Sequence, residues 1–194
     1  MRTEPKPTEP GTSFPDRAIR SPSAREAAAS AWSAPTRPGK VCEQAELLER
    51  LRPIRARGLR VALSQGCFDL VHLGHLRHFK QARAQADLLV VAVTADEYVN
   101  KGPGRPRFGL DARIEHLAEL ECVDYVVPSR VRTAVELLEA LQPDVYIRGA
   151  EYRDTAYDDP RFAAERVVVA RYGGEVRFSD DPLVLSSTRL QEDL

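Results

Sequence analysis

Between residues 88 and 94 the chain reads LLVVAVT, seven residues without a charge. A strand with one face in water alternates apolar and polar side chains. A near-continuous apolar run instead predicts a strand buried on both faces, as in a parallel sheet covered by helices. Strand and helix patterns alternate around it. Leucines recur at helical spacing in EQAELLERLRPIRAR (43–57), with Pro53 kinking its end and Gly58 closing it. RVALSQ (60–65) is a short strand, and Leu76, Phe79, Ala82 and Ala86 mark an amphipathic helix after it. Asp111 is placed to cap ARIEHLAELE. DYVVP (124–128) reads as a strand stopped by Pro128, and Thr133 with Glu136 as a capping box ahead of VELLEAL. PDVYIRG (143–149) is a further strand. Asp159-Pro160 opens a helix through Tyr172, Gly173-Gly174 ends it, EVRF (175–178) is the last strand, and Ser186 is placed to cap a terminal helix. The alternation predicts an α/β fold, a parallel sheet with helices on both faces. Such sheets bind ligands at the carboxyl ends of their strands, near a reversal of strand order.

Composition bounds the setting. At 194 residues, with 43% hydrophobic and 29% charged residues, the chain suits one soluble domain. A net charge of −1 gives no reason to expect nucleic acid or an anionic membrane as partner. No apolar run approaches the ~20 residues of a membrane span, and the first residues lack a signal-peptide core. Cys42, Cys67 and Cys122 are too far apart for a CxxC motif, which fits a reducing cytoplasm. Residues 1–40 differ from the rest: they hold seven of the fourteen prolines, and Ile19 is their one large aliphatic besides Met1. This stretch is expected to be a disordered extension, with a short helix at 23–32, ahead of a domain spanning 41–194. It reads either as a docking arm or as an inert tail. The helix at 43–57 and the exposed apolar residues of the domain are the features that would support a homodimer, and the sequence alone does not decide it.

The chemistry concentrates in GCFDLVHLGH (66–75), which follows the first strand and opens a helix. Dinucleotide binding would need G-x-G-x-x-G here, and no second glycine comes before Gly74. A GxxxxGK[ST] phosphate loop is absent too. His72 and His75 have H-x-x-H spacing but lack the glutamate of H-E-x-x-H, so a metal site is not expected. They read either as helix-start histidines bonded to backbone or as ligand donors. Gly66 and Gly74 favour the second, since both let backbone approach a ligand closely. A helix N-terminus with two imidazoles is a site for phosphate oxygens. Lys101, Arg105 and Arg107 lie in NKGPGRPRF, a glycine- and proline-rich loop, and SSTR (186–189) is a second hydroxyl-rich helix start. Asp96 follows LLVVAVT and reads as a helix cap more readily than as a ligand contact.

GCFDLVHLGH resembles the H-x-G-H signature of the cytidylyltransferase-like nucleotidyltransferases. KGPGRP, RIEHLAELECVDYVV, PDVYIRGAEY and GGEVRF…SSTRL resemble later motifs of that family in the same order, over about residues 41–192. The nearest subgroup is the adenylyltransferase domain of ADP-heptose synthesis, whose P-D-x-x-V-K-G-x-D-Y is matched with Arg148 for lysine, Ala150 for glycine and Glu151 for aspartate. The resemblance implies a Rossmann-like single domain that moves a nucleoside monophosphate from an NTP to a small phosphorylated acceptor, with magnesium and with ATP ahead of CTP. It implies catalytic roles for His72, His75 and Lys101. Nucleotide contacts fall to Gly66, Cys67, Phe68, Asp69, Gly74, Arg148, Gly149, Ser187 and Thr188, and phosphate or acceptor contacts to Arg105, Arg107 and Asp96. Asp69 orients the loop or touches the acceptor. A sugar 1-phosphate acceptor leads. The alternatives are cytidylyl transfer to a polyol phosphate, amino-alcohol phosphate or phosphonate, and a non-catalytic nucleotide sensor.

Overall fold

A computed structural model of the chain describes residues 39–153 and 159–180. The expected N-terminal extension with its 23–32 helix, and the terminal segment with Ser186, Ser187 and Thr188, lie outside the described residues. Among the described residues, five parallel strands form one sheet in the order β3-β2-β1-β4-β5. They are β1 (Val61–Gly66), β2 (Leu88–Thr94), β3 (Tyr125–Ser129), β4 (Val145–Arg148) and β5 (Glu175–Phe178). The run LLVVAVT is β2, and its first six residues are buried.

Helices cover both faces. Phe79 and Ala82 of α2 (Leu73–Ala84) and Ile114, Leu117 and Ala118 of α3 (Leu110–Ala118) pack on one face with Ala62, Leu89 and Ile147. On the other, α1 (Gln44–Ala56), α4 (Ala134–Leu141) and α5 (Pro160–Arg171) meet Leu63, Val90 and Tyr146. Leu47 and Leu51 of α1 are 0% exposed and Ile54 is 1% exposed. Truncating such a leucine to alanine costs about 2–5 kcal/mol through lost transfer energy and the cavity left behind. The apolar stripe of α1 is thus packed inside its own chain.

Several local expectations shift. Helix α1 runs through Pro53 and ends at Ala56, with Gly58 beyond it at φ +73°. Strand β3 passes through Pro128, which pairs with Val93 on its inner side, and ends at Ser129. An edge strand tolerates proline because its outer N–H has no ladder partner to lose. Val41 makes a single parallel bridge to Val126 on that outer side, with Cys42 N–H donating to the Val126 carbonyl at 3.2 Å and Val126 N–H to that of Lys40 at 2.9 Å. Helix α3 begins before Asp111, with Gly109 as its N-cap. Thr133 caps α4 by position, but its hydroxyl donates to the Glu136 carboxylate at 3.4 Å instead of completing a capping box. Asp159 caps α5 as expected, accepting the Arg161 N–H at 2.9 Å.

The strand order reverses between β1 and β4. After β1 the chain builds outward through β2 to β3, then crosses back to lay β4 on the other side of β1. The loops leaving β1 and β4 diverge there, which opens a crevice at the carboxyl ends.

Candidate functional site

That crevice is a cavity of about 1250 Å³. The turn from β1 into α2 contributes Gly66, Cys67, Phe68, His72, Gly74 and His75; the segment after β2 contributes Lys101; the end of β4 contributes Arg148 and Gly149. A second cavity of about 670 Å³ lies between α1 and α3, walled by residues such as Val41, Cys42, Ile114 and Glu115. It holds no histidine, lysine or hydroxyl side chain among the described residues, whereas the larger one gathers His72, His75 and Lys101.

The two histidines hold each other. His72 is the N-cap of α2, and its Nδ1 accepts the His75 N–H at 3.4 Å. In return the His75 Nδ1 accepts the His72 N–H at 3.4 Å. Their rings stack with centroids 3.9 Å apart. This is a capping box made from two imidazoles, and it satisfies two of the amide groups a helix start leaves open. An imidazole that accepts at Nδ1 carries its proton at Nε2, so this mutual cap fixes the neutral tautomer of both rings. Burial above all, with the positive neighbours His72, His78 and Lys101, holds the His75 pKa down to about 3. At neutral pH it is an uncharged donor.

Gly66 has a local reason as well as an expected one. A Cβ there would lie 2.9 Å from the tip of the Phe68 ring. Phe68 takes φ +49° and folds its ring back over the strand end, edge-on to His75 at 5.4 Å and to Phe79 at 5.1 Å. Burial raises the Cys67 thiol, so this residue offers backbone, not a thiolate.

Other expected contacts turn elsewhere. Asp69 is 5% exposed, and its Oδ1 accepts the N–H groups of Arg107 at 2.8 Å and Phe108 at 3.0 Å. Arg105 leans on the same carboxylate at 3.8 Å. None of Asp69, Arg105, Arg107 or Asp96 lines the cavity. The first three root the Lys101 loop onto the β1–α2 turn. Asp96 pairs with Arg113 and accepts the Leu110 N–H at 3.3 Å, so it caps α3 from outside that helix.

Arg148 is held in place. Its Nη1 donates to the Tyr146 hydroxyl and to Glu165 Oε2, each at 3.0 Å, and its guanidinium lies 4.5 Å from the Tyr152 ring centre. Burial pushes the Glu165 carboxyl up and the Arg148 charge offsets part of that. Sequence reasoning missed Glu165, Arg113 and the buried pair of Ser64 with His78, whose Oγ and Nε2 are 2.8 Å apart. His78 carried a usable signal, standing three residues beyond His75 on the same helix.

Comparison with known proteins fits this arrangement. Residues 63–192 match the family described as cytidylyltransferase-like. The chain belongs to the cytidylyltransferase-like family. Among curated relatives of this member, the bifunctional protein HldE of Alcanivorax borkumensis is 40% identical over 154 residues, covering 78% of this chain and 31% of that protein. The HldE of Ectopseudomonas mendocina is 42% identical over 134 residues, covering 68% and 27%. The chain therefore spans less than a third of the length of these relatives. Among solved structures, a lipopolysaccharide core biosynthesis protein from Thermoplasma volcanium aligns with TM-score 0.53 at 24% identity, covering 64% of this chain and 98% of that one. A pantoate-beta-alanine ligase from Francisella tularensis aligns with TM-score 0.54 at 15% identity, covering 78% and 72%. Both likenesses show the fold. No helix among the described residues is long and apolar enough to cross a membrane.

Proposed function

We propose that this family member is a nucleotidyltransferase that moves an adenylyl group from ATP to a sugar 1-phosphate and releases pyrophosphate. The observation that carries this reading is the mutual cap of His72 and His75, which sets both imidazoles at a helix N-terminus on the wall of a cavity shared with Lys101. An acceptor phosphate oxygen attacks the α-phosphorus, a new P–O bond forms, and the bond from the α-phosphorus to the bridging oxygen breaks with its electron pair leaving on pyrophosphate. The acceptor is already anionic near neutral pH, so no side chain has to remove a proton. Catalysis is then alignment and charge stabilisation. His72 and His75 donate to phosphate oxygens as charge builds, Lys101 adds a cation, and the resemblance assigns Ser187 and Thr188 to phosphate contact.

Magnesium fits as a companion of the nucleotide. The lining offers single carboxylates such as Glu97 and Asp159 and no group of three metal-ligating side chains among the described residues. A magnesium ion in such a site is held mainly by phosphates and water. When bound it neutralises phosphate charge.

The arginine at 148, where the adenylyltransferase domain carries lysine, counts against the sugar 1-phosphate acceptor, and the second reading is cytidylyl transfer to a polyol phosphate, amino-alcohol phosphate or phosphonate. Its Nη1 is engaged by Glu165 and Tyr146, so it is not the free point donor that a lysine would be. Purified protein incubated with magnesium, each NTP and a panel of phosphorylated acceptors, read by pyrophosphate release, decides among these. ATP with a sugar 1-phosphate should turn over fastest. Nucleotide binding without pyrophosphate from any pair would establish a sensor in place of an enzyme.

A further inference from the structure

Arg113 is 2% exposed and outside the cavity wall, yet its guanidinium reaches three segments, two of which line the cavity at Cys67 and Thr94. Nε donates to the Phe108 carbonyl at 2.9 Å. Nη1 donates to the Cys67 carbonyl at the end of β1. Nη2 donates to the Thr94 carbonyl at 2.9 Å, at the end of β2, and to the Asp96 carboxylate beyond it. From the opposite side, Asp69 takes the Phe108 N–H. Phe108 is therefore held at both its N–H and its carbonyl, and both holds lead back to the Cys67–Asp69 turn. Burying a guanidinium is costly unless its donors are met, and its charged partner among the described residues, Asp96, has a side chain 48% exposed. Fixed planar donors can span four acceptors in this way, whereas a lysine ammonium cannot.

We infer that Arg113 is a positioning residue for nucleotidyl transfer: by tying Phe108 and Cys67 to one guanidinium, it sets where the Lys101 loop stands relative to the glycine–histidine turn. The inference rests on the nucleotidyltransferase reading for its kinetic consequence and on geometry alone for the clamp.

The test compares full-length wild type, Arg113→Lys, Lys101→Ala and the double variant in the pyrophosphate assay, with amide hydrogen exchange of residues 99–109 measured in parallel. Leu117→Ala, buried on the same helix, serves as a destabilised control. Arg113→Lys should lower kcat/KM by roughly 10- to 100-fold, as expected for small misplacement of a binding group. That loss should largely vanish in the Lys101→Ala background, because the two changes remove one effect. Loop exchange should quicken in Arg113→Lys and stay unchanged in Leu117→Ala. If Arg113→Lys does not fold, Asp69→Asn weakens the opposite hold on Phe108 and is read the same way. Additive losses, or unchanged loop exchange in a folded variant, overturn the inference. A wild type that turns over no NTP overturns the transfer reading instead, and the exchange comparison still decides whether Arg113 holds the loop.

Discussion

His72 and His75 each accept the other's backbone N–H at 3.4 Å. One pair of imidazoles thereby starts the helix and lines the cavity. These tasks separate by substitution. Asparagine is a strong N-cap but has no ring nitrogen in the Nε2 position. His72→Asn should keep the melting temperature near wild type while turnover falls. His72→Ala should lose turnover and also about 1 kcal/mol of stability. Thermal unfolding beside pyrophosphate kinetics reads both; equal stability of the two variants would mean that His72 does not cap.

His75→Ala should lower kcat by on the order of 10²–10³, the usual loss for one donor to developing charge. The fold should persist, as checked by circular dichroism. Near-normal turnover would remove His75 from the mechanism.

Acid stability should report the buried histidines. The folded pKa of His75 is about 3 and that of His78 about 4, both depressed first by burial from an ordinary 6.5. Below 6.5 the unfolded chain takes up protons that the folded chain refuses. Their contribution is therefore intact above that pH and is lost as pH falls toward 4 and then 3. Each fully titrating group adds at most about 1.4 kcal/mol per pH unit. Urea unfolding at pH 7 and pH 5 should show the loss, and His78→Phe should flatten the slope. An unchanged slope in that variant would assign the acid sensitivity to other groups.

Gly66→Ala places a methyl 2.9 Å from the Phe68 ring, which neighbours His75 and Phe79. Overpacking of this kind costs about 1–3 kcal/mol. Calorimetric titration with magnesium–ATP should show weakened nucleotide binding alongside the loss of stability, because the displaced ring borders His75.

The Arg148–Glu165 pair is largely buried, with side chains 18% and 9% exposed. Glu165→Ala should cost about 3–5 kcal/mol by stranding the guanidinium. Arg148→Met combined with Glu165→Leu should recover most of that stability while altering NTP or acceptor selectivity. Denaturant midpoints and the substrate panel test the two halves separately.

The fold was legible wherever a local pattern sufficed. LLVVAVT and EVRF delimit β2 and β5, and Asp159-Pro160 opens α5. Local pattern failed where a partner came from elsewhere in the chain. Pro128 stays in β3 because β3 is at the sheet edge, which its own residues do not reveal. Helix α3 starts early because Asp96 reaches it from fourteen residues upstream. The same divide runs through the site. Gly66, His72, Gly74 and His75 could be read from one decapeptide, whereas Arg113 meets Cys67 across 46 residues and Arg148 meets Glu165 across 17. Asp69 reads in the sequence as a loop-orienting residue or an acceptor contact, and it holds the Arg107 and Phe108 amides; Arg105 reads as a phosphate or acceptor contact but leans on that carboxylate.

The strap formed by Lys40, Val41 and Cys42 has a bearing on how this protein can be handled. It occupies the outer backbone groups of Val126 on β3, a strand whose five residues are all buried. Trimming the chain into that strap would bare an apolar strand rim ready to recruit strands from other molecules, and clumping in the tube, more than lost turnover, would be the first symptom.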